Sequence, residues 1–303
     1  MRHVALGIAL LMAAGCQPMP GGGEVLRVPV ASGDTFGADA HLAPSRPDAV
    51  LRYADHPRGF AELRLPAGEG PFPLAVIFHG GCWKAGIANQ AYMAPLATRW
   101  QQLGIATLNV DYREVGDGGG WPGSFEDWAA AGDLVMQVVA DYPVDRARVT
   151  LVGHSAGALP AQWLAMEQGS DGPLGARDPL AVRAAIVLDG PADVGAERDA
   201  FDALCEFSAV DPFIGAAPGA AADRYAAIAP GGHAPQLEEL LFVQAVLPPP
   251  PQPAQTAIRA GGARVEVRAN PGASHFAILT PGSQSYIANE PAMLTVLRGE
   301  AAE

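Results

Sequence analysis

From Pro71 onward, short unbroken apolar runs alternate with longer stretches whose apolar residues recur at helical spacing, the pattern of parallel strands joined by crossover helices. Residues 74–78 and 105–110 are continuous apolar runs and predict strands buried on both faces. Residues 149–152, 184–188, 240–246 and 264–269 predict four more. Phe125, Trp128, Leu134, Val135, Val138 and Val139 mark one face of a helix, with Ser124 as its cap and Asp127 three residues on, ending near Asp141 before Pro143. Residues 156–168 read as a second helix and 293–298 as a closing one. Within residues 24–70, the alternation at 60–65 predicts an antiparallel edge strand.

Two segments break the alternation. Residues 191–236 are irregular and rich in Ala, Gly and Pro, placed above the C-terminal edge of the sheet. Residues 247–253 hold five prolines and must leave the sheet as an extended segment.

Composition narrows the function classes. Among 303 residues, 19 Lys and Arg against 32 Asp and Glu leave a formal charge of −13. No basic stripe exists to displace phosphate counterions, so nucleic acid is excluded as a partner. With 49% hydrophobic and 17% charged residues, the chain is too apolar for disorder.

The N-terminus has its own plan. Arg2 and His3 precede an uncharged run over residues 4–14, then Ala13, Ala14, Gly15 and Cys16. This is a signal-peptide layout, too short to span a bilayer. A Cys directly after Ala-Gly resembles a bacterial lipobox, which implies lipidation of Cys16; an ordinary secretory signal with a bystander Cys is the other reading. The expected division is a signal peptide over 1–15, a lipidated Cys and tether over 16–23, and one domain over 24–303. Export to the periplasm or cell envelope follows from either reading, and Gln17 resembles outer-membrane lipoproteins. The membrane would be touched only through the lipid. Cys82 and Cys205 then form a disulfide or are two buried small hydrophobes; spacing leaves both open. No Cys/His cluster has metal-ligand spacing.

Chemistry concentrates in two short motifs. Gly153-His154-Ser155-Ala156-Gly157 follows a predicted buried strand and precedes a helical pattern. A nucleophilic serine needs a strained strand-to-helix turn that exposes its Oγ, with glycines where side chains would collide. His79-Gly80-Gly81-Cys82-Trp83 follows the 74–78 strand. Its glycines let backbone N–H groups near Gly81 and Cys82, with that of Ala156, approach a tetrahedral oxyanion.

With Asn109-Val-Asp-Tyr-Arg113, Trp121-Pro122 with Asp127, and Asp145-Arg146-Ala-Arg-Val149, these motifs resemble the α/β-hydrolase superfamily, in the esterase branch with an H-G-G-x-W loop. That branch includes arylformamidases and feruloyl-esterase-like and acetylxylan-esterase-like proteins. The resemblance covers about residues 71–297. It implies an α/β fold with a mostly parallel eight-stranded sheet flanked by helices, no cofactor, and a serine, acid and histidine in that chain order. It also implies a serine hydrolase cleaving small carboxylic esters through an acyl-enzyme. A formamide hydrolase, or a catalytically inactive binding lipoprotein on the same fold, are the alternatives. Nothing in the sequence sets the oligomeric state.

His275, in Asn270-Pro-Gly-Ala-Ser-His275, follows the last strand where the family places its general base. His79 and His154 read as structural hydrogen-bonding residues, and His41, His56 and His233 as loop histidines. The acid departs from the family. Its usual loop, after the 240–246 strand, has Pro248 at the expected position and no carboxylate through Gln255. Asp189, at the end of the preceding strand, is the candidate that orients His275; it is similar to the acid-bearing turn of pancreatic-type lipases. Asp193 is a second candidate, and a Ser-His dyad or a degenerate site remain open.

Overall fold

A computed structural model describes residues 42–170 and 173–300. The signal peptide, Cys16, the tether and His41 lie outside the described residues.

Eight strands form one sheet in the order β1-β2-β4-β3-β5-β6-β7-β8, from β1 (Ala49–Arg52), β2 (Phe60–Arg64), β3 (Phe72–Phe78), β4 (Ala106–Val110), β5 (Val144–His154), β6 (Ala184–Leu188), β7 (Glu239–Gln244) and β8 (Arg264–Ala269). The β1–β2 and β2–β4 pairs are antiparallel and all others parallel, so the antiparallel strand expected at 60–65 is β2, but it lies inside the sheet because β1 pairs on its outer side and takes the edge. The sheet is the mostly parallel eight-stranded one the resemblance implies. Residues 74–78 and 184–188 are buried throughout, because helices cover both faces.

One face packs on α2 (Gly123–Asp141) and α3 (Ala158–Trp163), where Trp83, Phe125, Trp128 and Trp163 meet. The other packs on α1 (Ala94–Gln102) and α8 (Gln284–Arg298), with Trp100, Met293 and Leu297 inside. All the parallel strands end at one edge, so the loops after β3, β5, β6, β7 and β8 meet there.

Five expectations change. The helix α2 begins at Gly123, behind Pro122, so Ser124 lies inside its first turn and does not cap it. Its hydroxyl donates to the Arg113 carbonyl at 2.6 Å and accepts from the Gly120 amide at 2.9 Å, while Asp127 pairs with Arg113 at 2.7 Å. The 156–168 helix stops at Trp163, because the Arg177 guanidinium takes the carbonyls of Trp163 and Met166 at 2.8 and 3.1 Å. The closing helix starts nine residues earlier than expected, at Gln284 (293 − 284 = 9), where Ser283 Oγ accepts the Tyr286 amide; it runs through Pro291. The proline-rich segment is extended only to Pro251, and Pro253 sits in the first turn of α7 (Gln252–Ala260), where a missing N–H costs no helical bond. The irregular stretch holds α4 (Arg198–Cys205), α5 (Val210–Ile214) and α6 (Ala222–Ile228), whose apolar residues cover the Trp83 end of the core.

Candidate active site

Ser155 stands at the end of β5 with φ 55°, in the left-handed region that L side chains rarely adopt. The glycines around it show why the turn needs them. A Cβ on Gly153 would lie 2.0 Å from the Gly157 carbonyl oxygen, and one on Gly157 would lie 2.2 Å from that of Phe78. Neither contact is possible for any other residue. The 3-10 turn Ser155–Gly157 leads into α3, so the Ala156 N–H is among the first amides of a helical segment, which have no partner within it.

The loop after β3 packs directly on that turn. A Cβ on Gly80 would meet Ser155 Cβ at 2.8 Å. Gly81, Cys82 and Trp83 follow with φ 117°, 53° and 52°. Two consecutive non-glycine residues held in that region need restraint from outside the loop. Trp83 supplies one restraint: its indole is fully buried, donates from Nε1 to the Ala156 carbonyl at 3.0 Å and stacks on Phe213 at 4.4 Å. Cys82 supplies the other, as a disulfide to Cys205 at the end of α4, with Cα atoms 6.0 Å apart. Of the two readings open for these cysteines, the bonded one is present.

The acid side is assembled from three loops. Asp189, directly after β6, is fully buried with φ 44°. Its Oδ2 lies 2.7 Å from His275 Nδ1. The segment after β7 wraps the same carboxylate: the Ala245, Val246 and Leu247 amides donate to it at 2.8, 3.0 and 3.0 Å. Three backbone N–H groups converging on one carboxylate fix its position. The loop where the family carries its acid thus contributes only N–H groups here, and Gln244 steadies it by donating to the Gly190 carbonyl at 3.0 Å. Asp193 is elsewhere: its Oδ1 accepts the Ala196 amide.

His275 is tied through its main chain to His154, the residue before Ser155. His154 Nε2 lies 3.0 Å from the His275 carbonyl oxygen, and the two imidazole rings are 4.4 Å apart. Two other histidines, His79 and His56, each pair with a buried aspartate. His79 contacts Asp111 and the Gly80 carbonyl at 3.0 and 2.6 Å. His56, expected as an unremarkable loop histidine, pairs with Asp127 at 3.0 Å. Beneath Gly81 lies a buried carboxyl that sequence reasoning did not single out. Glu114 is fully buried, 2.9 Å from the Arg58 guanidinium, and burial, helped by Asp117 and Asp111, pushes its pKa up to about 8 against the opposing Arg58. Among the described residues no group of His, Cys, Asp and Glu is arranged to hold a metal ion.

A BD-FAE family model matches residues 62–236, a span that includes the Gly80 loop, Ser155 and Asp189. The chain belongs to the BD-FAE family. This BD-FAE chain is 31% identical over 117 residues to a probable isoprenylcysteine alpha-carbonyl methylesterase of Arabidopsis thaliana, a match covering 38% of this chain and 24% of that protein. It spans about a quarter of the length of the curated relatives it matches. Among solved structures it resembles a truncated carbohydrate esterase from gut microbiota, with TM-score 0.60, 19% identity, and coverage of 86% of this chain and 99% of that one. Esterase 2 of Thermogutta terrifontis phosphoramylated by tabun gives TM-score 0.62, 19% identity, and coverage of 86% and 98%. At such identities the likeness establishes the fold, that of α/β-hydrolase esterases.

Proposed function

We propose that the BD-FAE chain is a serine hydrolase that cleaves small carboxylic esters through an acyl-enzyme on Ser155. The observation that carries this reading is the 2.7 Å contact between Asp189 and His275 at the sheet edge where Ser155 ends β5. Asp189 accepts the Nδ1 proton, which leaves Nε2 of His275 as the lone pair. That nitrogen takes the proton from Ser155 Oγ as the oxygen attacks the ester carbonyl. The carbonyl oxygen gains charge against the amides of Gly81, Cys82 and Ala156, and loss of one such donor typically costs about 3 kcal/mol. The tetrahedral adduct collapses, the alcohol leaves with the proton from His275, and water releases the acid by the same steps in reverse.

Esters are favoured over amides by the company the chain keeps: a probable methylesterase by sequence, and carbohydrate and butyrate-binding esterases by fold. Formamide hydrolysis on the same residues is the narrower variant.

The test is hydrolysis of p-nitrophenyl acetate and butyrate, with labelling by a fluorophosphonate, which requires an activated serine. Wild type should turn over and be labelled, and Ser155→Ala should do neither. A wild type no faster than Ser155→Ala on these esters and on a formamide analogue would overturn the reading in favour of a non-catalytic binding protein.

We propose in addition that the protein acts outside the cytoplasm, anchored through Cys16. The Cys82–Cys205 disulfide supports an oxidising compartment. Loss of labelled fatty-acid incorporation in Cys16→Ser is the expected result; incorporation in neither form would remove the anchor.

A further inference from the structure

One run of hydrogen bonds links the loops that converge on Ser155. The Gly80 amide, on the loop after β3, donates to the phenol oxygen of Tyr92. That oxygen lies 2.8 Å from Nδ1 of His154, the residue before the serine. His154 Nε2 in turn lies 3.0 Å from the main-chain carbonyl oxygen of His275. Both Tyr92 and His154 are buried, and their rings meet edge to face at 5.7 Å.

The direction of each proton follows from which atoms can only donate or only accept. A carbonyl oxygen has no proton to give, so His154 Nε2 carries one. Burial first, and the neighbouring His275 second, hold the His154 pKa well below the ordinary histidine value, so the ring is neutral and its Nδ1 is a lone pair. The Gly80 amide can only donate. Tyr92 therefore gives its proton to Nδ1 and accepts from Gly80, and burial keeps the phenol protonated by raising its pKa. With the phenol oxygen gone, the Gly80 N–H and His154 Nδ1 would both lose this partner in a buried site.

We propose that Tyr92 and His154 are positioning residues: the run Gly80–Tyr92–His154–His275 braces the oxyanion loop against the loop that bears the base, setting the distance between the two across Ser155. The proposal rests on the esterase reading above. Neither side chain need touch substrate. Their effect is on where the oxyanion amides and the base stand when the tetrahedral adduct forms, and Gly80, already packed against Ser155 Cβ, has little room to find that place unaided.

Tyr92→Phe keeps the ring and removes one oxygen. Displacement of a catalytic group by about 1 Å can cost 10²-fold, so kcat on p-nitrophenyl acetate should fall about 10- to 100-fold with KM changed less than about threefold. Affinity for a trifluoromethyl ketone, whose adduct oxygen occupies the oxyanion position, should fall with it. His154→Leu should behave alike. His154→Gln, whose amide can accept from the phenol and donate to the carbonyl, should recover most of the kcat that His154→Leu loses. A Tyr92→Phe enzyme with wild-type kcat, or one changed only in thermal stability, overturns the brace. Should the variants fail to fold, nitrogen-15 NMR of histidines in the wild-type protein decides. His154 should remain the neutral Nε2–H tautomer from about pH 5.5 to about 8.5, and titration in that range or the Nδ1–H tautomer overturns the proposal. A wild type with neither turnover nor serine label removes the esterase reading itself, whereas a working wild type beside an unaffected Tyr92→Phe removes the brace alone.

Discussion

The loops after β3 and β5 reach the reaction centre through backbone conformation: Gly80, Gly153 and Gly157 sit where a Cβ would fall within 2.8 Å of other atoms, and Cys82, Trp83 and Ser155 are held at φ between 52° and 55°. The loops after β6, β7 and β8 reach it through hydrogen bonds between distant segments, with Asp189 receiving the amides of Ala245, Val246 and Leu247 and contacting His275. Each loop of the first arm is one short motif, held from outside by Trp83 and by the Cys82–Cys205 disulfide. The second is assembled from residues up to 86 positions apart. A motif whose function is a backbone shape can hardly move along the chain, because the shape is local. A carboxylate needs only to arrive beside His275, so a neighbouring strand end can supply it while the vacated loop serves as its cradle.

The largest expected effect falls on the second arm. Asp189→Asn keeps the size of the side chain and removes the charge that orients His275, and loss of the equivalent acid in a triad lowers kcat about 10⁴-fold. If steady-state kcat on p-nitrophenyl acetate falls less than about tenfold, the loop after β6 does not carry the acid and the contrast between the arms collapses.

On the first arm, the expected loss is in stability. Cys205→Ala leaves the Cys82 backbone in place but frees its tie to α4. The chain-entropy model gives a cross-link spanning 123 residues about 5 kcal/mol, or roughly 10 °C in the thermal midpoint for a domain of this size. A scan with and without reductant checks this. A midpoint unchanged by both the substitution and the reductant would mean that Trp83 alone restrains the loop.

The smallest effect concerns Glu114, which faces Gly81 from beneath, with Oε1 3.2 Å from where a Gly81 Cβ would stand. Its carboxyl pKa is raised in the folded chain from 4.5 to about 8. A carboxyl with a raised folded pKa contributes stability that is fully present below 4.5 and is lost as pH rises through 8. Wild type should therefore lose stability over that window, and Glu114→Gln should lose less. Parallel thermal melts across that pH range would contradict the assignment if the two proteins decline equally.

Much of the fold could be read from the chain because parallel strands buried on both faces are continuous apolar runs, and residues 74–78 and 184–188 fall inside the observed strands. Helix ends were less legible. Ser124 and Asp127 make a convincing capping pattern, yet each finds a better partner on the loop after β4. The 156–168 helix is cut short by an arginine that is remote in sequence, Arg177. For Tyr92 the chain carries no signal at all: it lies in a short 3-10 turn, Gln90–Met93, and its importance to Gly80 and His154 exists only across space.

What the sequence determined by itself is the parallel strands of the sheet, the body of α2 and the serine elbow, since hydrophobic periodicity and glycine spacing are local consequences of burial and steric exclusion. It narrowed the acid to Asp189, Asp193 or none and left the Cys82–Cys205 pair open. Which carboxylate stands beside His275, and that the two cysteines are bonded, were set by the tertiary structure alone, because a hydrogen bond and a disulfide depend on distances between strand ends that the pairing of the sheet sets and that no single segment encodes.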